Sequence, residues 1–332
     1  MDLNELLKST EKALDAASPK ATQNGTSLGT ALESLIEDTI KKHVSHDLVL
    51  NAVRETVANL APKKVKFYIN GAKKGTVNHA HKQLVHVVKL LARGLVPCLY
   101  GDSGTGKTTL ARQVAEALEL DFFVLALTES TPTSVFAGTK GVDGKYSKSA
   151  VFDWATNGGV LLIDEWDRAD PNTISWWNMP LDNRIAAFPL NTEQPKVELN
   201  HKALVILASN TMGEGNTRDF VAANRQDKSL RERVIFVPVD YDEDLEKILV
   251  GEQICDFMHH LRRRVRHEKI GRSISTRHLV QIQKLMHTNG DKGFTLKEAV
   301  EMIMLPWSET EKESIKDCLA MLGEEDNNVI PS

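Results

Sequence analysis

The chain has 332 residues, and its 41 lysines and arginines against 45 aspartates and glutamates give a formal net charge of −4. This balance excludes a histone-like, strongly basic protein and gives no electrostatic case for obligate DNA binding. With 41% hydrophobic and 26% charged residues, the chain can bury a sizeable core as one large domain or two smaller ones.

Cysteine usage and apolar runs favour a reducing compartment without membrane insertion. The chain has three cysteines, Cys98, Cys255 and Cys318. They are far apart and show no Cys-x-x-Cys spacing, so neither a disulfide framework nor a zinc site is expected. The most apolar stretch, residues 85–100, is interrupted by Lys89 and Arg93, which argues against a transmembrane helix. Because the first residues also lack the features of a secretory signal, we expect a cytoplasmic protein.

The N-terminal region differs from the rest of the chain. Residues 1–60 carry apolar side chains at helical spacing and predict a helical N-terminal extension. A polar segment rich in Ser, Thr, Asn and Gly, residues 18–29, interrupts it and predicts a linker. The run Val65–Ile69 then alternates like a strand and stops at Asn70-Gly71, which is a turn signal.

Residues 61–240 alternate between apolar strands and helices, and this alternation predicts an α/β sandwich. The predicted strands are Leu95–Tyr100, Asp121–Leu127, Gly159–Asp164, Ala203–Ser209 and Val234–Val239. Their nearly continuous apolar character is typical of strands buried on both faces of a parallel sheet. A helix is predicted over residues 108–118. Residues 241–323 show helical periodicity alone and predict a smaller α-helical domain, followed by a polar tail over residues 324–332.

A phosphate-binding loop joins the first of these strands to the predicted helix. The predicted nucleotide-binding residues are Gly101, Asp102, Ser103, Gly104, Thr105, Gly106, Lys107, Thr108 and Thr109. The first eight fit the pattern G-x-x-x-x-G-K-[ST] in its required strand–loop–helix context. The glycines let backbone N–H groups point at phosphate oxygens at a helix N-terminus. Lys107 adds a positive charge, and the Thr108 hydroxyl is suited to bind Mg²⁺.

Two carboxylates end the strand over residues 159–164. A side chain at the C-terminal end of a buried parallel strand faces the crevice in which α/β sheets bind ligands. We therefore predict that Asp164 holds Mg²⁺ together with Thr108, and that Glu165 is the general base that polarises an attacking water. The second acid favours hydrolysis over transfer of a phosphoryl group to another substrate. Asn210, which ends the next strand, is placed to hydrogen-bond that water or the γ-phosphate, although asparagine there is usually a turn residue.

Four segments, in this order and context, resemble an AAA+ ATPase module: Gly101–Thr108, Leu161–Glu165, Ser209–Asn210 and Leu230–Val234. The chain is most similar to the MoxR and cobaltochelatase ATPase-subunit (CobS-like) group, including CobS-like proteins of tailed phages, over residues 65–285. The resemblance implies a P-loop NTPase fold, an αβα sandwich with a parallel sheet and a small α-helical lid. It also implies ATP and Mg²⁺ as ligands, and the host cytoplasm as the location if the protein is phage-encoded.

The resemblance also assigns roles to single residues. Asn210 occupies the sensor-1 position, and Arg277 looks like sensor 2, reaching the γ-phosphate from the lid. Arg233 matches the arginine finger that acts on a neighbouring subunit's nucleotide, with Arg231 as a competing candidate two residues away. Such a finger is typically worth roughly 10³–10⁵ in rate. The resemblance therefore implies a ring, a hexamer in this group, that remodels a protein client through a von Willebrand factor A-type partner.

Two other functions remain open. A nucleic-acid-stimulated motor would use a predicted hairpin over residues 184–201 and the basic run Arg262–Arg266, whereas a non-catalytic nucleotide-gated interaction protein would bind ATP without turnover. Because the overall charge is close to neutral, we interpret the basic run as a solvated face. The pair His259-His260 has no cysteine or carboxylate at ligand spacing, so no metal site is predicted there. Three tryptophans are predicted to pack in the core, Trp166, Trp176 and Trp177.

Overall fold

The computed structural model describes residues 65–69, 72–216, 222–287 and 293–325. The side chains of residues 65–76 and 321–325 are not part of that description. Residues 62–332 form one compact unit. The predicted N-terminal extension, its linker, the Asn70-Gly71 turn and residues 326–332 of the predicted tail lie outside the described residues.

The described strands and helices alternate as the sequence predicts. The strands are β1 (Val65–Ile69), β2 (Ala72–Val77), β3 (Val96–Tyr100), β4 (Phe122–Ala126), β5 (Thr139–Lys140), β6 (Tyr146–Ser147), β7 (Gly159–Asp164), β8 (Ile185–Ala187), β9 (Lys196–Glu198), β10 (Ala203–Ser209) and β11 (Val234–Pro238). The helices are α1 (Leu84–Leu91), α2 (Lys107–Leu118), α3 (Ser134–Ala137), α4 (Ala150–Asn157), α5 (Pro171–Ile174), α6 (Asn178–Asn183), α7 (Lys228–Arg231), α8 (Glu243–Val250), α9 (Glu252–His267), α10 (Thr276–Met286), α11 (Leu296–Ile303), α12 (Glu309–Glu313) and α13 (Lys316–Glu325).

Five strands form one parallel sheet in the order β11–β3–β10–β7–β4. They are the five strands that the apolar runs predict, each within one residue at either end. Because β10 lies between β3 and β7, the carboxyl ends of these three strands meet at one edge of the sheet. The phosphate loop, Asn210 and the acidic pair follow these three ends, so the topology brings the three motifs together.

Apolar clusters cover both faces of this sheet. Along β7, Val160 and Leu162 belong to a cluster with helices α1 and α2, whereas Leu161 and Ile163 belong to a cluster on the opposite face. This alternation arises because successive strand residues point to opposite faces. The second cluster contains fully buried Trp166 and Trp177, with Trp176 partly buried against it, which confirms the predicted core packing. The layers make an αβα sandwich.

A helical region follows the sheet, and no described residue after Pro238 belongs to a strand. Helices α8 to α13 enclose a third apolar cluster of their own, which includes Phe257, Leu261, Leu279 and Trp307. We call this region, residues 241–325, the lid. The predicted hairpin over residues 184–201 is present as the antiparallel pair β8–β9. Within the ranges that the structure describes, no helix combines the length and apolar character needed to cross a bilayer.

Candidate nucleotide-binding site

The loop between β3 and α2 wraps around the start of a helix. Gly106, the residue before α2, has φ of 94°, in the left-handed region that glycine adopts without steric cost. Gly101 lies so close to the neighbouring chain segment that a methyl group on it would be 2.3 Å from the Val239 carbonyl oxygen. The first turn of α2 therefore presents backbone N–H groups and the positive end of the helix dipole to this loop, as an anion site requires.

Lys107 is buried beneath this loop, with only 8% of its surface exposed. Its ammonium donates to the carbonyl oxygens of Gly101 at 2.6 Å and Asp102 at 2.9 Å, and to Asn210 Oδ1 at 3.0 Å. Burial lowers the pKa of Lys107 from its usual value, and the nearby Asp164 carboxylate opposes this shift most strongly. A positive charge is thus fixed at the loop and is linked to the end of strand β10.

Thr108 and Asp164 are the side chains that the sequence predicts as magnesium ligands, and the structure brings them together. The Thr108 hydroxyl donates to Asp164 Oδ2 at 2.9 Å, across the sheet edge. Hydroxyl and carboxylate oxygens are hard ligands of the kind that Mg²⁺ prefers, and Mg²⁺ in nucleotide sites usually takes one or two protein carboxylates. The residues present therefore fit this ion. No group of three or more His, Cys, Asp or Glu side chains within the described ranges is arranged to hold a metal.

Glu165 directly follows Asp164, in a left-handed backbone conformation with φ of 54°. Its carboxylate pairs with Arg168 Nη1 at 2.9 Å, and the two side chains are 36% and 41% exposed. Partly exposed ion pairs of this kind are weak, at about 0.2–1 kcal/mol. The Glu165 carboxylate can therefore leave Arg168 at a small cost in free energy. Arg168 was not predicted from the sequence, although its position three residues after Glu165 is a helical spacing that signals such a pair.

A buried carboxylate that sequence reasoning missed lies behind Asn210. Asp167 is 1% exposed, and its Oδ2 accepts hydrogen bonds from the Thr211 backbone N–H at 3.0 Å and the Thr211 hydroxyl at 2.7 Å. Its backbone carbonyl oxygen accepts from the Asn224 N–H at 2.7 Å. Asp167 therefore ties the loop after the acidic pair to the residue that follows Asn210.

The lid reaches the phosphate loop at the start of α10, just before Arg277. A methyl group on Gly104 would lie 2.6 Å from Ser275 Cβ and 3.8 Å from Arg277 Cβ. Ser275 caps α10, and the Arg277 side chain is exposed. The structure therefore places the predicted sensor-2 arginine beside the loop that is proposed to hold the phosphates.

Arg231 and Arg233 lie at the opposite end of the sheet from this loop. Strand β11 pairs with β3 from Val234↔Val96 to Pro238↔Tyr100, so Arg233 is level with Leu95 and lies six residue steps from Gly101, roughly 20 Å at about 3.3 Å per residue. Arg233 instead pairs with Asp182 at 2.5 Å, and Arg231 pairs with Glu214 at 2.9 Å. The structure does not bring either arginine to the phosphate loop of its own chain.

The interpretation of Arg262–Arg266 as a solvated face is wrong for Arg262, which is 3% exposed and pairs with the fully buried Glu246. Arg262 and Val265 are three residues apart on α9 and share its buried face, since residues at this spacing lie on one side of a helix. Arg264 and Arg266 pair with Glu268 and Asp240, at 3.2 and 3.3 Å.

His259 has the carboxylate neighbours that its sequence spacing did not indicate. Its Nε2 lies 2.7 Å from Glu246 Oε2, and its Nδ1 lies 3.7 Å from Glu243. Glu246 is also engaged by Arg262, so the histidine adjoins a buried ion pair.

One known family matches the part of the chain that contains this candidate site. Residues 97–234 match the family described as an AAA domain of the dynein-related subfamily. This part of the chain is therefore similar to an AAA domain. The matched range contains the phosphate loop, the acidic pair, Asn210 and both candidate finger arginines, and it ends before the lid. Together with the parallel sheet and its flanking helices, the match establishes an α/β AAA+ fold.

Similarity to solved structures is loose. A point mutant of RuvB from Thermotoga maritima is 16% identical, with a TM-score of 0.41, over 72% of this chain and 75% of that chain. Two structures of NtrX from Brucella abortus, the second in complex with ADP, are 14% identical with TM-scores of 0.45 and 0.43. They cover 85% and 98% of this chain and 76% and 68% of those chains. A comparison with curated proteins found no match. Likenesses this loose say nothing about ligands or partners of the AAA domain described above.

Proposed function

We propose that this protein is a ring-forming ATPase that hydrolyses Mg-ATP and uses the hydrolysis to remodel a protein client. The observation that carries this proposal is the convergence of the phosphate loop, the Thr108–Asp164 pair, Glu165 and Asn210 at one edge of the sheet of an AAA domain. A triphosphate at this edge would meet the ammonium of Lys107 and the N-terminus of α2.

The proposed reaction is in-line attack of water on the γ-phosphate. Lys107 and the loop amides would hold the phosphates, and Thr108 and Asp164 would hold Mg²⁺, which would supply positive charge against the negative charge of the phosphates. Glu165 accepts the proton of the attacking water as general base. Asn210 orients that water or the γ-phosphate from the end of β10, and Arg277 approaches from the lid.

The arginines at the far end of the sheet support a ring. Since neither Arg231 nor Arg233 lies near its own phosphate loop, the finger that this reaction needs would come from a neighbouring subunit. The resemblance to MoxR and cobaltochelatase ATPase subunits suggests a hexamer and a von Willebrand factor A-type partner protein. Hydrolysis would then move the lid against the sandwich and act on the bound client.

The nucleic-acid motor receives less support than the sequence suggested. Of the basic run, Arg262 is buried, and Arg264 and Arg266 are paired with acidic side chains. This leaves little uncompensated positive charge on α9 for phosphate contacts, which dominate nucleic-acid affinity. DNA-stimulated hydrolysis that weakens steeply with salt would restore this alternative.

The substitution Glu165→Gln tests the proposal because it removes the general base and keeps the shape of the side chain. We expect ATP binding to be retained and turnover to fall by about 10²–10⁴-fold, which is the usual contribution of general base catalysis. Calorimetric titration with Mg-ATP and a phosphate-release assay measure the two effects.

A matched control is Glu116→Gln, which changes the same charge at an exposed position on α2 and should leave both values unchanged. Near-normal turnover in Glu165→Gln would dismiss Glu165 as the base. A wild-type chain that binds ATP and forms rings without turnover would favour the non-catalytic interaction protein, and a chain that ignores ATP would end the proposal. In the presence of ATP, the Glu165→Gln variant is also a trap with which to isolate the client.

A further inference from the structure

The lid contains a fully buried ion pair that the proposed reaction does not use. The Glu246 side chain is 0% exposed and that of Arg262 is 3% exposed. The guanidinium contacts both carboxylate oxygens, with Nη1–Oε2 at 2.9 Å and Nη2–Oε1 at 2.7 Å. Burying two charges is costly, and replacing such a pair by apolar residues is often neutral or stabilising. Stability alone therefore does not account for this pair.

The pair fixes the start of the helix that carries Arg277. Arg262 Nε donates to the Ile274 carbonyl oxygen at 2.7 Å, and the Thr276 hydroxyl donates to Glu246 Oε1 at 2.5 Å. Ile274 and Thr276 flank Ser275, the cap of α10. The two charged side chains thus hold the chain on both sides of the cap, just before Arg277.

The same arginine also reaches the phosphate loop by a second route. Its Cζ lies 3.9 Å from the centre of the Tyr241 ring, within the range of a cation–π contact. The Tyr241 hydroxyl donates to the Ser103 carbonyl oxygen at 3.4 Å. Because Ser275 packs against Gly104, lid and loop meet at neighbouring residues, and Arg262 supports both sides of that contact.

We propose that Arg262, with Glu246 as its partner, is a positioning residue that fixes the Arg277 helix against the phosphate loop through Thr276 and Tyr241. It touches no phosphate itself. It keeps Arg277 aligned with the position of a γ-phosphate. Because ADP has no γ-phosphate, this alignment favours the binding of ATP over that of ADP. This inference rests on the proposed function, since it takes ATP as the ligand.

The test measures dissociation constants for Mg-ATP and ADP by calorimetry in the Glu165→Gln background, where ATP is not consumed. In one variant Tyr241→Leu removes the ring beneath Arg262. In a second, Glu246→Leu and Arg262→Met together replace the buried charges by apolar side chains. For both we expect the ratio of the ATP to the ADP dissociation constant to rise about tenfold, which corresponds to the loss of one contact to a charged group.

Two further variants serve as controls. Tyr241→Phe keeps the ring and removes the hydrogen bond to Ser103, which is long and therefore weak, so we expect the ratio to rise only about twofold. Arg263→Met changes the exposed neighbour on α9 and should leave the ratio unchanged. A melting temperature for each variant separates positioning from stability, because a purely structural role would lower that temperature without altering the ratio.

An unchanged ratio in Tyr241→Leu and in the double variant would overturn the inference while leaving the proposed function intact. If the double variant does not fold, Tyr241→Leu decides alone. Failure of the parent protein to bind ATP would instead refute the proposed function.

Discussion

The residue proposed as the general base, Glu165, has a strained backbone conformation. Its φ of 54° places a side chain with a Cβ in the left-handed region, which costs roughly 1–2 kcal/mol for a residue other than glycine. The hydrogen bond from its backbone N–H to Asp164 Oδ1 at 3.0 Å and the ion pair with Arg168 accompany this conformation. Glu165 is also the residue that the sequence predicts as the general base. Backbone strain of this kind is found at functional sites.

Replacing Arg168 by alanine should release Glu165 from its ion pair. Because a partly exposed pair is worth about 0.2–1 kcal/mol, we expect turnover to rise by at most about fivefold, with ATP affinity unchanged. Steady-state phosphate release at saturating ATP measures the effect, and Arg263→Ala is the matched change at an exposed position. A clear fall in turnover would mean that Arg168 assists Glu165 and does not restrain it.

At the scale of elements, the contact between the phosphate loop and the lid depends on a missing side chain. Gly104 has φ of 76°, and a methyl group there would collide with Ser275 of the lid. Ser275 has two roles, since it also caps α10 in a capping box with His278. The glycines of the loop allow backbone amides to face a phosphate, and Gly104 also allows the lid to pack closely against the loop.

The substitution Gly104→Ala tests this contact, and Gly144→Ala is its control. Both glycines have nearly the same φ, 76° and 77°, but a methyl group on Gly144 would meet nothing within 4 Å. The backbone cost of about 1–2 kcal/mol is therefore common to both variants. We expect Gly104→Ala alone to weaken ATP binding, by at least about tenfold, as measured by calorimetric titration. Equal, small effects of the two variants on ATP affinity would show that the lid does not depend on this close approach.

Across the whole molecule, the phosphate loop and the proposed arginine finger lie at different ends of the sheet. The phosphate loop and Arg233 lie at opposite ends of the adjacent strands β3 and β11. Within the chain, the finger candidates are held by Asp182 and Glu214. In the proposed reaction the finger would therefore come from a second copy, whereas in the single chain these arginines pair with acidic side chains.

Mixing experiments test this arrangement. Glu165→Gln subunits and subunits with both Arg231→Ala and Arg233→Ala should each be nearly inactive alone, since a finger contributes roughly 10³–10⁵ in rate. A mixture should regain activity, because an intact Glu165 then meets an intact finger from the neighbour. Phosphate release across mixing ratios is the measurement, and single substitutions identify which arginine acts. Full-speed hydrolysis by a lone subunit without either arginine would exclude action between subunits.

The five strands of the sheet, the phosphate loop and the acidic pair were predictable from the sequence. These features are local: a buried parallel strand is a continuous apolar run, and Gly101–Thr108 and Asp164–Glu165 are adjacent along the chain. The common edge of these motifs also followed, since strands of a parallel sheet end at one edge, whereas their adjacency depends on the strand order β3–β10–β7. The helical character of the lid was predicted because its apolar residues recur with the helical period.

The partners of the charged side chains, in contrast, depend on contacts that form in the folded chain. Arg262 was predicted to be solvated because the overall charge is close to neutral, yet the fold buries it against Glu246, sixteen residues away. The Gly104–Ser275 contact and the Arg233–Asp182 pair likewise join residues that are distant in the chain. A charge buried in a low dielectric needs a partner wherever the fold can supply one, and hydrophobic periodicity carries no information about which distant residue that is.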